Sequence, residues 1–180
     1  MSKPLIALLG TSGSGKSSLA NKLQKKYGYT SVKSFTTRAM RDDPADEFTH
    51  TFISPDRIAD YKDDIVCDTI FNGSYYFATK QQLNQNDIYV LDKEGLIQLY
   101  RNYHDKPIIS IFLDVPAEIV AHRMESRGDS NEAILSRLQH DREAFKDVAE
   151  MCDFVCENCT QEQQNDICEF IDMLFRYYRG

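Results

Sequence analysis

The sequence predicts an α/β fold in three layers, with a central parallel sheet covered by helices on both faces. Three short apolar runs, PLIALLG, DIYVLD and PIISIFLDV, lack the alternation of apolar and polar residues that a half-exposed strand would show. Each is typical of a strand buried on both faces. Helical patterns separate these runs, and strands that alternate with helices indicate a parallel sheet between helical layers. With 180 residues, of which 42% are hydrophobic, the chain can form one domain around its own core.

The helices of this predicted fold can be assigned in chain order. After PLIALLG and the glycine-rich GTSGSGKS comes SSLANKLQKKYG, in which Leu19 and Leu23 have helical spacing and Gly28 ends the helix. The stretches KEGLIQLYRNYHDK and PAEIVAHRMESRG predict two more helices. Asp129 is the expected N-cap of the next helix, DSNEAILSRLQHDREAFKDV. A strand at CDFVCE and a closing amphipathic helix complete the order.

The composition excludes several classes of protein. A net charge of -7 and a pI near 5.1 argue against a broad nucleic-acid surface, which needs clustered positive charge. The N-terminal apolar run is too short for a signal peptide and no run reaches the length of a membrane span. The chain is therefore expected to be cytoplasmic, with no nucleic-acid or membrane partner. Its five cysteines are expected to be free thiols rather than disulfides or a metal site.

The stretch GTSGSGKS matches the phosphate-binding pattern G-x-x-x-x-G-K-[ST] between a predicted strand and a predicted helix, which is the context the pattern requires. Backbone N–H groups of such a loop surround phosphate oxygens, Lys16 reaches the β- and γ-phosphates, and Ser17 can ligate Mg²⁺. The alternative is a flexible glycine turn. The predicted triphosphate-binding residues are Gly10, Ser12, Gly13, Ser14, Gly15, Lys16, Ser17 and Ser18.

A second candidate anion site is SFTTRAMR, which carries Arg38 and Arg41 in a polar segment. Phosphoryl transfer between two polyanions needs cations at both ends, and paired guanidinium groups suit the paired oxygens of a phosphate. The residues alone also allow a solvated loop surface. The whole segment 34–79 is polar and rich in turn residues, so it is predicted to be a small inserted subdomain.

Several stretches, taken together, resemble the guanylate kinases. SFTTRAMR, FTHTFIS and NGSYYFATK are similar to the family stretches S-x-T-T-R-x-x-R, Y-x-F-V-S and G-x-Y-Y-G-S. VLDKEG, RMESRGDSNEAILSRL and CDFVCEN resemble later family stretches in the same order. The resemblance extends from Leu5 to about Asn158. It implies a P-loop NTPase fold in a single domain, with a core of residues 1–33, 80–125 and 146–180, an acceptor-binding insert 34–79 and a lid 126–145.

The resemblance also implies roles for individual residues. Arg38, Arg41 and Tyr76 would hold the phosphate of an acceptor nucleoside monophosphate, and Asp92 would lie near the acceptor base and the metal's water shell. Asn158 would lie beside the donor adenosine. The lid arginines Arg123, Arg127 and Arg137 would close over the transferring group. The implied catalytic residues are Lys16, Arg38, Arg127 and Arg137, with ATP and Mg²⁺ as cofactors.

The sequence departs from the family where guanine is read. The family uses a serine before T-T-R, which is Ser34 here, a glutamate where this chain has Cys67, and a second serine where it has Ala78. A one-residue shift would put Asp68 in place of the glutamate, and both alignments remain open. His50 stands where the family has a phosphate-binding tyrosine.

The activity that the resemblance implies is phosphoryl transfer from ATP to a nucleoside monophosphate, in purine nucleotide metabolism, with GMP or dGMP as acceptor and a monomer or homodimer as the working unit. A kinase for another nucleoside monophosphate or another small phosphorylated acceptor is the alternative. A third possibility from another class is a binding module for phosphorylated peptides, but such modules usually have a degraded P-loop, whereas Lys16 and Ser17 are present here.

Overall fold

The structure is a computed structural model, and it describes residues 2–40, 50–71 and 73–179. Two four-stranded sheets organise the chain, one parallel and one mixed. The strands are β1 Leu5–Leu9, β2 Phe35–Thr36, β3 Thr51–Phe52, β4 Ile65–Phe71, β5 Ser74–Thr79, β6 Ile88–Val90, β7 Ile108–Asp114 and β8 Phe154–Glu157. The helices are α1 Lys16–Tyr27, α2 Lys80–Gln85, α3 Lys93–Asn102, α4 Ala117–Ser126, α5 Asn131–Ala144, α6 Val148–Met151 and α7 Gln161–Arg179, with a 3₁₀ helix at Pro55–Asp60.

The first sheet confirms the predicted fold class. Its strand order is β6-β1-β7-β8, and every pairing in it is parallel. Ala7 at the centre of β1 pairs with Tyr89 on one side and with Ser110 on the other. A single bridge from Ser31 to Ile88 extends the sheet beyond β6. The carboxyl ends of β1 and β7 therefore meet at one edge, where ligands bind in open α/β sheets.

Strand β1 supplies both halves of the core because its side chains alternate between the two faces of the sheet. Leu5, Ala7 and Leu9 enter one apolar cluster, which also contains residues of α3 and of the second sheet. Ile6 and Leu8 enter the other cluster, which is closed by α1 and α7. This burial on both faces explains why the strand reads as a continuous apolar run.

The second sheet lies within residues 35–79, with the order β3-β2-β5-β4. Strands β4 and β5 form an antiparallel hairpin in which Cys67 pairs with Ala78 and Asp68 pairs with Phe77. Directly paired residues share a face, and successive residues alternate between faces. Cys67 and Ala78 therefore lie on one face of the hairpin, whereas Asp68 lies on the other.

Two helix ends show where the local predictions were right and wrong. Gly28 caps α1 in the left-handed conformation with φ 75°, as its position predicted. The prediction of Asp129 as an N-cap was wrong: α5 begins one residue later, and the hydroxyl of Ser130 accepts the N–H of Ala133. Asp129 instead binds Arg127 through its carboxylate. Among the described residues, no helix is long and apolar enough to cross a membrane.

Candidate active site

The phosphate-binding loop between β1 and α1 is built by glycines whose conformations other residues rarely adopt. Gly15 has φ 95°, and a Cβ atom placed on it would come within 2.6 Å of the Asn158 side-chain nitrogen. Gly10 has φ 148°, and a Cβ atom there would lie 2.9 Å from the carbonyl oxygen of Leu113. The loop can therefore pack tightly against its neighbours only with glycine at these two positions.

Lys16 opens α1 directly after this loop and is half-buried. Its Nζ atom donates to the carbonyl oxygens of Gly10 at 2.6 Å and Thr11 at 2.8 Å. Burial lowers the pKa of Lys16 to about 8, an effect that the nearby carboxylates of Asp141 and Asp92 partly offset. The ammonium group is thus held by the loop's own backbone carbonyls, with the carboxylates of Asp141 and Asp92 nearby.

The polar atoms of the loop fit a phosphate ligand. Within the described residues, the hydroxyl oxygens of Thr11 and Ser14 are buried without a hydrogen-bond partner. Buried polar groups in folded proteins are nearly always bonded, so such atoms indicate a missing ligand or water. Ser17, at the start of α1, is exposed, as a metal-ligating hydroxyl must be. The residues present therefore suit a triphosphate whose Mg²⁺ contacts the hydroxyl of Ser17.

Arg123 and Asn158 hold this loop from behind. The Nδ2 group of Asn158 donates to the carbonyl oxygen of Ser14 at 2.7 Å. The guanidinium of Arg123 donates to the carbonyls of Gly13 at 3.2 Å, Asn158 at 2.6 Å and Cys159 at 3.0 Å. Both side chains were predicted to contact ATP directly. In the structure their described hydrogen bonds go to backbone carbonyls of the protein, so both support the loop, and their predicted contact with ATP stays a prediction.

A cleft of about 260 Å³ opens beside this support. It begins at the outer side of the P-loop and ends at the first turn of α7. Its lining includes Gly15, Ser18, Arg123, Asn158, Thr160 and Gln164. Because the cleft adjoins the P-loop, it is a suitable place for the nucleoside part of a bound triphosphate.

Three residues that were predicted to bind the acceptor phosphate lie together on the second sheet. The guanidinium carbon of Arg38 is 5.2 Å from the ring centre of Phe52. The ring of His50 stands edge-on to Phe52 at 6.3 Å and to Tyr76 at 5.4 Å. Arg38 thus lies over Phe52, and the ring of His50 connects Phe52 to Tyr76, so the structure brings these three predicted residues together. Arg41 lies outside the described residues.

The strand register separates the two candidate positions for a base-reading carboxylate. Tyr76 and Ala78 lie two residues apart on β5, so they share a face, and Cys67 pairs with Ala78 on that same face. Asp68 lies on the opposite face, where its Oδ2 atom accepts the hydroxyl of Tyr75 at 2.7 Å. On the face that carries Tyr76, the side chain is therefore that of Cys67, which argues against the displaced carboxylate, and the base-reading role of either residue stays a prediction.

Cys67 is buried against α3 rather than open to a ligand. It is 2% exposed, and its Sγ atom lies 3.5 Å from the carbonyl oxygen of Gly95. Burial, reinforced by Asp68 and Asp92, raises the pKa of the Cys67 thiol to about 12. The group is a neutral thiol at every physiological pH, so it cannot replace a carboxylate as a partner for the N–H groups of guanine.

Ser34 and Asp92 lie near this buried corner. The hydroxyl of Ser34 bonds the side chain of Tyr89, whose pKa is raised by its own burial. Asp92 caps α3 by accepting the N–H of Gly95 at 2.8 Å. The charge of Asp92 acts on Lys16 as well as on Cys67, so this carboxylate lies between the P-loop and the second sheet.

The two remaining lid arginines have different surroundings. Arg127 follows α4 directly and forms an ion pair with Asp129 in which its Nε atom is 2.7 Å from Oδ2. Arg137 lies exposed in the middle of α5. Neither arginine has a described contact with the P-loop. Their predicted approach to a transferring phosphoryl group therefore stays a prediction.

Two neighbours of the site were not predicted from the sequence. Phe52 is the ring around which Arg38 and His50 are arranged. Asp141, on α5, accepts the backbone N–H of Ser12 through Oδ2 at 2.5 Å. A search for polar residues on the inner face of the predicted lid helix would have selected Asp141, but its contact with a loop 129 residues away is visible only in three dimensions.

Comparison with known proteins supports the same architecture. A family model described as AAA domain matches residues 6–147. The fold is similar to a guanylate kinase from Anaplasma phagocytophilum, with a TM-score of 0.63 and 19% identity over 94% of this chain and 85% of that one. It is also similar to a gluconokinase from Sinorhizobium meliloti 1021, with a TM-score of 0.53 and 15% identity over 98% of this chain and 93% of that one. No curated protein matches the sequence significantly. At these identities the two structures establish the fold alone.

Proposed function

Because this chain belongs to the family described as AAA domain, we propose that its P-loop binds ATP and that the protein transfers the γ-phosphoryl group to a small acceptor that already carries a phosphate. Nucleoside monophosphates are the first class of acceptors to test. GMP and dGMP come first among them because of the guanylate kinase resemblance. The observation that carries the proposal is the loop around Lys16, which has an intact cation, glycine-dependent backbone and unpartnered buried hydroxyls.

On the donor side, the roles follow from the contacts of the loop. Backbone N–H groups and Lys16 would bind the β- and γ-phosphates, and the cleft beside Gly15 and Gln164 would hold the nucleoside. Ser17 is the residue that would hold Mg²⁺, and the ion would supply positive charge against the donor phosphates. Within the described residues no group of three or more His, Cys, Asp or Glu side chains could hold a metal ion.

On the acceptor side, Arg38, His50 and Tyr76 offer one cation and two further hydrogen-bonding groups around Phe52. Arg41 is proposed to add a second guanidinium. The charge of Asp92 acts on Lys16 beside the P-loop and on Cys67 of the second sheet, which favours an arrangement with donor and acceptor close together. Catalysis would then consist of positioning two phosphate groups and compensating their charge, and it needs no dedicated base.

The guanylate kinase resemblance gives less support for a guanine base in the acceptor than for its phosphate. On the described face of the second sheet, the guanine-reading positions carry Cys67 and Ala78, both almost fully buried. A site without a carboxylate leaves the N1–H and amino groups of guanine without their charged acceptor. We therefore propose a broader acceptor range than that of an enzyme specific for guanine, including other nucleoside monophosphates or small phosphorylated acceptors.

The proposal is tested by an acceptor panel. The purified protein is incubated with ATP and Mg²⁺ and with GMP, dGMP, AMP, CMP, UMP or dTMP, and ADP release is followed against a Lys16→Ala control. We expect acceptor-dependent ADP release in the wild type and its loss in the variant, because Lys16 neutralises the phosphates in the transition state. Turnover that persisted in Lys16→Ala would disprove the donor-site assignment.

The panel also tests the alternative of a non-catalytic module that binds phosphorylated peptides. Such a module would bind a phosphopeptide without releasing ADP from any mixture. The intact Lys16 and Ser17 argue for the enzyme. Activity with an acceptor other than GMP or dGMP would retain the kinase proposal and reject its guanine-specific form.

A further inference from the structure

We propose that Asp141 is an internal competitor at the donor site: its carboxylate takes the place of a donor phosphate against the P-loop, and an incoming phosphate chain has to displace it. The inference rests on the proposed function in so far as that function assigns the P-loop to a phosphate donor. Asp141 is 6% exposed, and its Oδ2 atom accepts the Ser12 N–H at 2.5 Å. Its charge also acts on Lys16.

The chemistry of this contact is that of an anion in an anion site. Backbone N–H groups of a P-loop bind phosphate oxygens, and a carboxylate offers oxygens of the same charge sign and hydrogen-bonding type. A phosphate oxygen and Oδ2 of Asp141 cannot accept the Ser12 N–H in the same position. Two anions in this loop would also repel each other at short range. Binding of a phosphate chain and retention of the Asp141 contact therefore exclude each other.

The packing of α5 keeps the carboxylate in this place. Near the start of the helix, Ile134 belongs to an apolar cluster with Val120 and Met124 of α4. Just after its end, the ring of Phe145 lies 6.3 Å from that of Phe112 on β7. Because the helix is held at both ends, Asp141 faces the P-loop as part of a packed element, and its displacement requires a rotamer change or a shift of α5.

His140 links the same contact to the second sheet. Its Nδ1 atom lies 3.4 Å from Oδ1 of Asp141, and its ring stands edge-on to Phe71 of β4 at 6.3 Å. A chain of contacts therefore runs from the second sheet through α5 to the P-loop. If a donor displaced Asp141, α5 would lose its hydrogen bond to the P-loop on the side that also contacts the second sheet.

The consequence is selection against weak anions. Every ligand that uses the Ser12 N–H must overcome the same internal competitor, so the loss of affinity is similar for small and large anions. A nucleoside triphosphate has further contacts that can compensate for it, whereas inorganic phosphate does not. With Asp141 in place, tight binding therefore requires a donor that engages Lys16, the P-loop backbone and the cleft beside Gly15 at the same time.

The test compares the wild type with Asp141→Asn, which removes the charge while keeping the shape, and with Asp141→Ala, which empties the position. Glu143→Gln is the matched control, because Glu143 is exposed on the same helix. Binding of inorganic tripolyphosphate and of ATP is measured by isothermal titration calorimetry in EDTA. We expect Asp141→Asn to tighten binding of tripolyphosphate about tenfold and Asp141→Ala at least as much. Both changes remove the charge-assisted hydrogen bond between residue 141 and the Ser12 N–H, which tripolyphosphate otherwise has to displace. Glu143→Gln should stay within about twofold of the wild type.

The outcomes separate this inference from the proposed function. Unchanged or weaker tripolyphosphate binding in both folded Asp141 variants overturns the inference, even if the wild type turns over ATP. Tighter tripolyphosphate binding supports it, even if no variant binds ATP, and in that case the proposed function is the part that fails. Absence of binding of either ligand to any variant rejects both. Thermal unfolding of each variant verifies that the compared proteins are folded, and if Asp141→Asn does not fold, Asp141→Ala decides.

Discussion

Replacement of Arg123 by alanine is predicted to destabilise the folded protein before any nucleotide is bound. The guanidinium donates three hydrogen bonds to the carbonyls of Gly13, Asn158 and Cys159. A hydrogen bond to a charged group contributes about 1.5–3 kcal/mol. The three carbonyls border an open cleft, where water can replace part of the loss, so we expect a total decrease of about 2–4 kcal/mol in the free energy of unfolding.

Thermal unfolding without nucleotide measures this effect. For a domain of this size, 1 kcal/mol changes Tm by about 2–4 °C, so Arg123→Ala should lower Tm by roughly 5–15 °C. Arg127→Ala is the matched control from the same helix end. The exposed pair of Arg127 and Asp129 should contribute less than about 1 kcal/mol and move Tm by no more than about 3 °C.

The comparison also tests what Arg123 does. If Arg123 served only to contact a bound phosphate, its removal would leave the Tm of the nucleotide-free protein unchanged and would weaken ATP binding alone. Equal Tm values for Arg123→Ala and the wild type would therefore refute the supporting role argued from the three carbonyl contacts. A lower Tm together with weaker ATP binding is the expected pair of results, because Arg123 holds the loop that is proposed to bind the phosphates.

Three further predictions concern the acceptor side. Arg38→Ala should raise the acceptor KM and lower kcat, with a loss of about 10- to 100-fold in kcat/KM, because a charged hydrogen bond to phosphate serves both ground and transition states. Initial rates over a series of acceptor concentrations measure this loss, and an unchanged kcat/KM would contradict the assignment. Burial raises the pKa of Cys67 to about 12, so the reactive thiolate is scarce below that pH. Iodoacetamide at pH 8 should therefore label Cys67 only after denaturation, which mass spectrometry of the folded and unfolded protein can show. Asp68→Asn should leave the ranking of acceptors unchanged, because Asp68 faces away from Tyr76, while Tm falls through the weakened bond to Tyr75; a reordered acceptor panel would count against the register argument.

The parallel sheet and the P-loop were predictable because their signals are local. Burial of β1 on both faces leaves a continuous apolar run, and the loop requires glycine at positions where a Cβ atom would collide. The end of α1 was equally readable, since Gly28 adopts a positive φ that favours glycine. Local chemistry was less decisive at α5, where Asp129 and Ser130 are both good caps. There the ion pair with Arg127 engages Asp129 and leaves the cap to Ser130.

The supporting roles of Arg123 and Asn158 were not predictable from the sequence, because a motif specifies residue types and spacing but not the partner of each side chain. Asp141 illustrates the same limit more strongly. Its position four residues after Arg137 gives a place on α5, yet its contact with Ser12 depends on how α5 packs against α4 and β7. Long-range contacts of single polar groups are set by packing, which no local pattern encodes.

The distinction between Cys67 and Asp68 depends on strand pairing, and it changes which acceptors should be considered. In an alignment the two residues differ by one position, which is within the uncertainty of any loop. In a strand, one position exchanges the two faces of the sheet. Because Cys67 pairs with Ala78, the face that carries Tyr76 has a buried thiol and a methyl group where guanine would need a carboxylate and a hydroxyl. Recognition by Arg38, His50 and Tyr76 would then select the acceptor mainly through its phosphate, and the remainder of the acceptor would be chosen by shape rather than by a charged partner.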